Sequence, residues 1–373
     1  MNSLKRLGVF LLVATLLVLV SVGFKGKDIH DRAIIVGLGI DLVDGQIEVT
    51  AEVISPGNGS EQVGTYSKTV SATGKTLAQA VQNTSQLTGK EASLGQCVLL
   101  VFGEQLVARQ NLGQLLEFFV KSDSFKETAT VCCCKGTAKQ LFESVEALSG
   151  SVSLSLSAMM QSQAKEIAIP TTNLLSFARS QRELLQTGFL NYVETVSTNN
   201  QSSNNQSKPQ VYFVYDKVAV FAKHQFVCLL SQSQTVGFSL LKNNVSGNMF
   251  VVQHNGNDVA LRSDQKDLSV TFKNGVAHFS VTLKLQLAQT DNFGQNNSFV
   301  VKNNRQIPQE LLDQVQLEAQ ALVNDFWQMQ TQYNFDIVGL HELLRSKFGT
   351  NSNLCCLPMQ QIAVEFSISA QEK

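Results

Sequence analysis

The chain has 373 residues, a formal net charge of −1 and 16% charged residues. That length supports two or three domains with real cores. The balance of Lys and Arg against Asp and Glu excludes the basic excess that a phosphate-tracking nucleic-acid surface needs.

Leu7 to Phe24 carries no charge and follows Lys5 and Arg6. At about 1.5 Å per helical residue, such a run just crosses a hydrocarbon layer of about 30 Å. The flanking positive charges favour a cytoplasmic N-terminus. Residues 1–26 therefore read as an anchor or signal segment, with Lys25 onward outside the membrane. A cleaved signal competes with the uncleaved helix, through a poor small-x-small site at Ser21-Val22-Gly23. A buried soluble helix would want a polar face, which the run lacks. A lipoprotein signal would need a cysteine at the end of the run, and the first cysteine is Cys97.

Ala33 to Asp41 reads as a buried strand, and Asp44-Gly45 as a hairpin turn. Gln46 to Ser55 alternates, with Ile47, Val49, Ala51 and Val53 on one face and Glu48, Thr50 and Glu52 on the other. That pattern predicts a half-buried strand. Tyr66 to Ser71 is a short strand, followed by a helix with the stripe Leu77, Ala80, Val81 and Leu87. Cys97 to Phe102 is a buried strand, Gln105 to Val120 a helix, and Thr128 to Cys134 another strand. Thr137 opens a helix through Leu141, Phe142 and Val145. Gly150 to Leu190 is helical in parts, with Leu174, Leu175 and Phe177 as expected core.

Thr198 to Ser207 has no apolar residue with which to repay ordering, and reads as a linker or long loop. Beyond it, Lys217 to Phe221 and Gln225 to Leu230 form a hairpin around Lys223-His224, and Gln232 to Lys242 a short helix. Asp267 to Phe272 and Val276 to Leu287 are strands joined by Asn274-Gly275. Gly294 to Asn304 is a polar loop. Pro308 opens a helix striped by Leu311, Val315, Ala319, Leu322, Phe326 and Met329. Asp336 caps a second helix, Ile337 to Phe348, which Gly349 ends. Ile362, Val364, Phe366 and Ile368 lie on one face of a last strand.

The fold class is α+β: an N-terminal anchor helix, then a mixed sheet and helix ectodomain of two or three subdomains. The expected divisions are 1–26, an α/β-type domain at 27–197, a polar linker at 198–208, and an α+β domain at 209–373 with an antiparallel sheet and a long helix.

Motifs that carry chemistry are mostly incomplete. Thr73-Gly74-Lys75-Thr76 lacks the upstream glycine of a phosphate loop, since Thr69 stands there, and reads as a helix start. Gly37-x-Gly39 lacks the third glycine of a dinucleotide fingerprint and sits inside a strand. His341-Glu342 has Arg345 where a zinc protease carries its second histidine. The five histidines, His30, His224, His254, His278 and His341, are scattered. Cys132-Cys133-Cys134 and Cys355-Cys356 are adjacent rather than spaced for a metal, and neighbours on a strand face opposite ways, so they read as small hydrophobes. One disulfide outside the membrane is an alternative for a single pair. No catalytic, cofactor-binding or metal-binding residue emerges, and no cofactor is implied.

The order of segments resembles the C subunit of bacterial spore nutrient-germinant receptors, the Ger(x)C family. The matching pieces are residues 27–34 (KDIHDRAI), 36–41 (VGLGID), 71–76 (SATGKT), 216–221 (DKVAVF) and 335–344 (FDIVGLHELL). No single piece decides the match; their order across nearly the whole chain after the anchor is what is specific. Gly23 and Phe24 stand where family members carry a lipid-modified cysteine and a tryptophan, so this lipoprotein-like chain would be held by its uncleaved helix. The resemblance implies an ectodomain on the outer face of the spore inner membrane, assembled with a polytopic A subunit and a transporter-like B subunit. It implies no enzyme, and a nutrient germinant bound mainly by the B subunit. The expected function is therefore an accessory receptor subunit acting through protein contacts. An anchored extracytoplasmic solute-binding or sensor module is the alternative, and an extracytoplasmic hydrolase has only scattered histidines and acids in its favour.

Overall fold

A computed structural model describes residues 8, 10, 12–17, 32–56, 65–122, 125–144, 150–163, 169–198, 210–242, 247–254, 256–290, 307–349 and 357–373. The apolar run at 7–24 is helical at residues 8, 10 and 12–17, and its remainder lies outside the described residues. Among the described residues no helix is long and apolar enough to cross a membrane.

Strands β1 (Arg32–Val43) and β2 (Gln46–Pro56) form the expected hairpin. Asp44 and Gly45 both hold positive φ, 50° and 77°, the turn that matches the twist of paired strands. Strand β3 (Thr65–Gly74) adds antiparallel to β2. Helix α1 (Leu77–Thr88) starts where the Thr76 hydroxyl accepts from the Gln79 N–H at 3.2 Å. Its buried face is Leu77, Ala80, Val81 and Thr84, whereas Leu87, expected in the stripe, is exposed. At about 100° per residue Leu87 lies about 80° around the helix from Leu77, while Thr84 lies almost above it.

Strand β4 (Glu91–Ser93) pairs parallel to β1, as does β5 (Leu99–Gly103). In place of one helix at 105–120 there are two, α2 (Glu104–Arg109) and α3 (Gly113–Lys121). Tertiary bonds hold the break open. The Asn111 amide donates to the Lys223 carbonyl at 3.1 Å, its oxygen accepts from the Gly113 N–H at 2.8 Å, and the Leu112 N–H donates to the His224 carbonyl at 2.9 Å. The inward residues of the predicted helix are buried as expected.

Next come β6 (Thr130–Cys134), α4 (Ala138–Ser144), α5 (Val152–Gln163), α6 (Leu174–Ser180), β7 (Thr187–Thr198), β8 (Gln210–Ala222), β9 (Gln225–Leu230) and α7 (Gln232–Leu240). Leu174 and Phe177 are buried, and Leu175 is exposed. Residues 199–209, Val145 and 291–306 lie outside the described residues; β7 and β8, on either side of 199–209, pair antiparallel. The first sheet has the order β3-β2-β1-β5-β6-β7-β8-β9, with β4 beside β1. Its centre, β1-β5-β6-β7, is parallel, and its flanks are antiparallel.

Helices cover both faces of this sheet. Cys133 packs with Leu106, Phe119 and Phe177 on one side; Cys132 and Cys134 pack with Leu141, Phe142 and Leu156 on the other. The three cysteines thus alternate across the strand as the period of two requires. Because β2 is covered on both faces, the expectation of a solvated Glu48, Thr50 and Glu52 face fails: Thr50 and Glu52 are buried. The acids serve as helix caps. Glu52 accepts from the Val152 and Ser153 N–H groups, each at 2.8 Å, and from the Ser153 hydroxyl. Asp41 accepts from the N–H groups of Ala138 at 2.8 Å and Lys139 at 3.0 Å. Each carboxylate satisfies orphan donors at the positive end of a helix. Gly37 and Gly39 let those helices approach: a Cβ on Gly39 would lie 2.8 Å from Ala138 Cβ and from Phe142.

The second sheet is β10 (Met249–His254), β11 (Asn257–Lys273), β12 (Val276–Thr290) and β13 (Ala363–Glu372), in that order. β13 is parallel to β12, and the rest is antiparallel. The β11–β12 turn carries Asn274 and Gly275 at φ 51° and 80°, as expected. Helix α8 (Gln309–Gln332) buries Leu311, Leu312, Val315, Ala319, Val323 and Phe326, close to the predicted stripe. Its Phe326 stacks against Phe238 of α7, which in turn meets Phe189 of β7. Helix α9 (Leu340–Phe348) begins three residues later than expected and ends at Gly349.

Candidate ligand cleft between the two sheets

The junction of the two sheets leaves a cleft of about 630 Å³. Three regions of the chain build it. From the first sheet come α6, the turn after it and the start of β7, bringing Arg179, Glu183 and Phe189. The end of α7 brings Leu241 and Lys242. The second sheet and the approach to α9 bring Leu268, Val270, Phe279, Asp336 and Glu342.

Asp336 organises the floor. Its carboxylate accepts from the N–H groups of Gly339 at 2.8 Å, Leu340 at 3.0 Å and His341 at 2.8 Å. This is the cap predicted at Asp336, made by a side chain that reaches over an intervening loop; Gly339, with φ 92°, occupies the cap position itself. The backbone at Asp336 is tied to β7: its carbonyl accepts from the Thr187 hydroxyl at 2.8 Å, and its N–H donates to the same oxygen at 3.3 Å.

His341 is buried beside it. Nδ1 lies 2.9 Å from Asp336 Oδ2, and Nε2 lies 2.8 Å from the Leu357 carbonyl. Both neighbours are acceptors, so both ring nitrogens carry protons and the ring is an imidazolium. Burial lowers the His341 pKa, but the bonds to Asp336 and Leu357 outweigh it and hold it above 6.5. Burial likewise pushes the Asp336 carboxyl up, and the ring and N–H bonds outweigh it and hold it below 3.8. With Nε2 spent on a backbone carbonyl, the ring has no nitrogen to offer as a base. The Asp336–His341 pair is a strut between α9 and the segment at Leu357.

Lys242 donates to the Val338 carbonyl at 3.3 Å and sits 6.0 and 5.6 Å from the Phe189 and Phe238 ring centres. Burial holds its amine below the usual lysine range, offset in part by Asp336 and Glu183. Behind it, Lys266 donates to the carbonyls of Ser239 at 2.6 Å and of Lys242, at the C-terminal end of α7. Burial brings the Lys266 amine down to about 7. Across the cleft the Glu183 carboxyl is pushed up by burial and by the neighbouring Glu342 charge, offset in part by Lys242.

The residues that the sequence singled out are dispersed. Thr76 is a helix cap, His254 lies 3.7 Å from Glu310, and His278 lies 3.0 Å from Glu365. His224 sits in the β8–β9 turn; His30, Cys355 and Cys356 lie outside the described residues. Among the described residues no group of three His, Cys, Asp or Glu side chains is placed to hold a metal ion. Burial raises the thiols of Cys132, Cys133 and Cys134 well above 9.0. Of the cleft lining, the sequence marked Asp336, as a helix cap, and Glu342, beside His341 in an incomplete motif. Glu183 and Lys242 lie in no local motif, and meet Asp336 and Glu342 only through the tertiary fold.

A family model described as the spore germination protein N-terminal domain matches residues 25–205, and one described as spore germination B3/GerAC like, C-terminal, matches residues 216–353. The chain belongs to the GerAC-like spore germination family. This is the Ger(x)C family of germinant-receptor C subunits, so the resemblance in segment order holds. A solved structure titled "Crystal Structure of the GerBC protein" aligns with a TM-score of 0.54 at 16% identity, over 90% of this chain and 96% of that one. At that identity the likeness concerns the fold alone: this chain shares the mixed α+β architecture of that protein. No curated protein matches the chain in sequence.

Proposed function

We propose that this chain is the membrane-anchored accessory subunit of a spore nutrient germinant receptor, acting through contacts with polytopic A and B subunits. The observation that carries the reading is the reach of the family match, which takes in 25–205 and 216–353 rather than one motif. The anchor is supported by the uncharged run at 7–24 and by its described helical residues, where Phe10, Leu12, Leu16 and Leu17 are all exposed. Apolar side chains in that number without a protein surface over them favour lipid. In this reading the body of the chain sits on the outer face of the spore inner membrane, and a partner subunit holds the nutrient. The engaged ring of His341 fits a role by contact rather than by hydrolysis.

Spores lacking this chain, in a strain without a redundant copy, should fail to respond to the nutrients of their receptor and recover when the chain is restored. A normal nutrient response in those spores would sink the proposal.

A further inference from the structure

We infer that the end of the first sheet at which β1 begins is a docking face for an anionic lipid surface. The face rests on the anchored reading of residues 7–24, and sets which side of the body meets the bilayer.

The topology gathers this end from distant parts of the chain. β1, β5, β6 and β7 run parallel, so their first residues lie together. β8 returns antiparallel to β7, with Ala222 opposite Thr187, which puts the β8–β9 turn at the same end. The chain after α1 arrives there too, since Glu91 pairs with Arg32. So does the end of α2, where Asn111 bonds to the Lys223 carbonyl. The anchor joins the body here. Eight Cα steps separate Phe24, the last residue of the uncharged run, from Arg32, and at about 3.6 Å each they span at most about 29 Å. The 12 residues of β1 carry the opposite end of the sheet about 36 Å from Arg32. An inverted body would hold Arg32 at that height, beyond the reach of the tether.

The side chains at this end fit a headgroup layer. Arg32, Lys90, Arg109, Lys126, Arg182 and Lys223 are all exposed, and among the described residues none of the six makes an ion pair. The exposed acids around them are Glu91, Glu117 and Glu127, and Glu117 is taken by Lys121. The opposite end differs: Lys135 and Lys217 pair with Glu194, and Lys139 with Glu48. From β1 to β9 the cationic end spans six strands of the sheet, or about 24 Å. Each basic residue near an anionic surface favours attachment about fivefold. Between the cations stand Leu87, Leu184 and Phe226, 65%, 49% and 39% exposed. Single apolar side chains among cations suit the boundary of headgroup and acyl chain, where stems and rings sink while charges stay at the phosphates.

The test places the full-length chain in vesicles of phosphatidylcholine, alone or with about one-third phosphatidylglycerol, with brominated acyl chains as a fluorescence quencher. The reporters are Phe226→Trp and, at the opposite end of β1, Val43→Trp, each read against the wild type, whose single tryptophan is Trp327. Phe226→Trp should be quenched and blue-shifted in the anionic vesicles, and lose both effects in phosphatidylcholine alone or at about 1 M salt, where charges are screened within about 3 Å. Val43→Trp should stay unquenched throughout. Adding Arg109→Glu, Arg182→Glu and Lys223→Glu should abolish the quenching at an unchanged melting temperature. An alkaline carbonate wash reads the anchor separately: a chain released by it loses the anchored reading and the docking face together. A chain that is retained, with Phe226→Trp unquenched in anionic vesicles, quenched alike in both lipids, or matched by Val43→Trp, overturns the docking face alone. Loss of a protein partner from the charge-reversed chain, with no quenching in any vesicle, would assign the face to that protein and overturn the inference as well.

Discussion

Replacing Asp336 with alanine removes a buried carboxylate from the imidazolium of His341 and from the three N–H groups that open α9. The Asp336 and His341 side chains are 3% and 4% exposed, so water cannot take over either role. Breaking a buried ion pair from one side costs about 3–5 kcal/mol, and losing a cap costs about 1 kcal/mol. Discharge of the orphaned ring limits the first of these, so the expected loss is about 4 kcal/mol. At about 2–4 °C per kcal/mol, that lowers the melting temperature by about 10 °C. The loss should depend on pH. The His341 pKa is raised, so its contribution is full below 6.5 and fades as pH rises through the folded value. The Asp336 pKa is lowered, so its contribution is full above 3.8 and fades as pH falls through the folded value. The variant should therefore be penalised most at about pH 5 and less at about pH 9, where the loss of the cap remains. The assay is urea unfolding of the full-length chain in mild detergent, followed by the fluorescence of Trp327, which packs against Phe279 and Phe366. A loss under about 1 kcal/mol, or an equal loss at both pH values, would refute the imidazolium strut.

Other perturbations probe the caps, the close packing and the buried ionisable groups. Glu52→Gln weakens the acceptor of two N–H groups and the Ser153 hydroxyl, and should cost about 1.5–3 kcal/mol in urea unfolding; a wild-type midpoint would show that the α5 cap contributes little. Gly39→Ala places a Cβ 2.8 Å from Ala138 and Phe142, and the same assay should read about 1–3 kcal/mol of overpacking. Cys132, Cys133 and Cys134 should resist maleimide in the folded protein and react in urea, because burial holds their thiols protonated; mass mapping that finds Cys133 labelled in the folded state would contradict its placement. The amine of Lys266 falls from 10.5 to about 7 on folding, so its contribution is present above 10.5 and lost as pH falls through about 7. The stability of the wild type relative to Lys266→Met should therefore improve between about pH 6 and pH 9, and a flat difference would contradict the burial.

Local chemistry made much of the fold legible. Asp44-Gly45 and Asn274-Gly275 announced their hairpins through a turn type that few other pairs adopt. The apolar stripe from Leu311 to Phe326 announced α8, and Asp336 was identifiable as a cap from sequence alone. What stayed hidden depends on residues distant in the chain. Asn111 and Gly113 weaken a helix near residue 110 without forbidding one, and the break is held by bonds to Lys223 and His224. The alternation of β2 resembles a half-solvated strand, and only the arrival of α5 buries Glu52 as a helix cap. The cleft is hidden for the same reason, since Glu183, Lys242 and Asp336 reach one lining only through the fold. β10 went unpredicted because its alternating Phe250 and Val252 span just six residues.

The central claim is assembly with two membrane partners, and a co-purification tests it most directly. The chain would carry a C-terminal tag, membranes of sporulating cells would be dissolved in mild detergent, and the intact mass of the bait would be measured beside whatever accompanies it. The account predicts two polytopic partners and an unprocessed N-terminus. A soluble, cleaved chain with no membrane partner would contradict it.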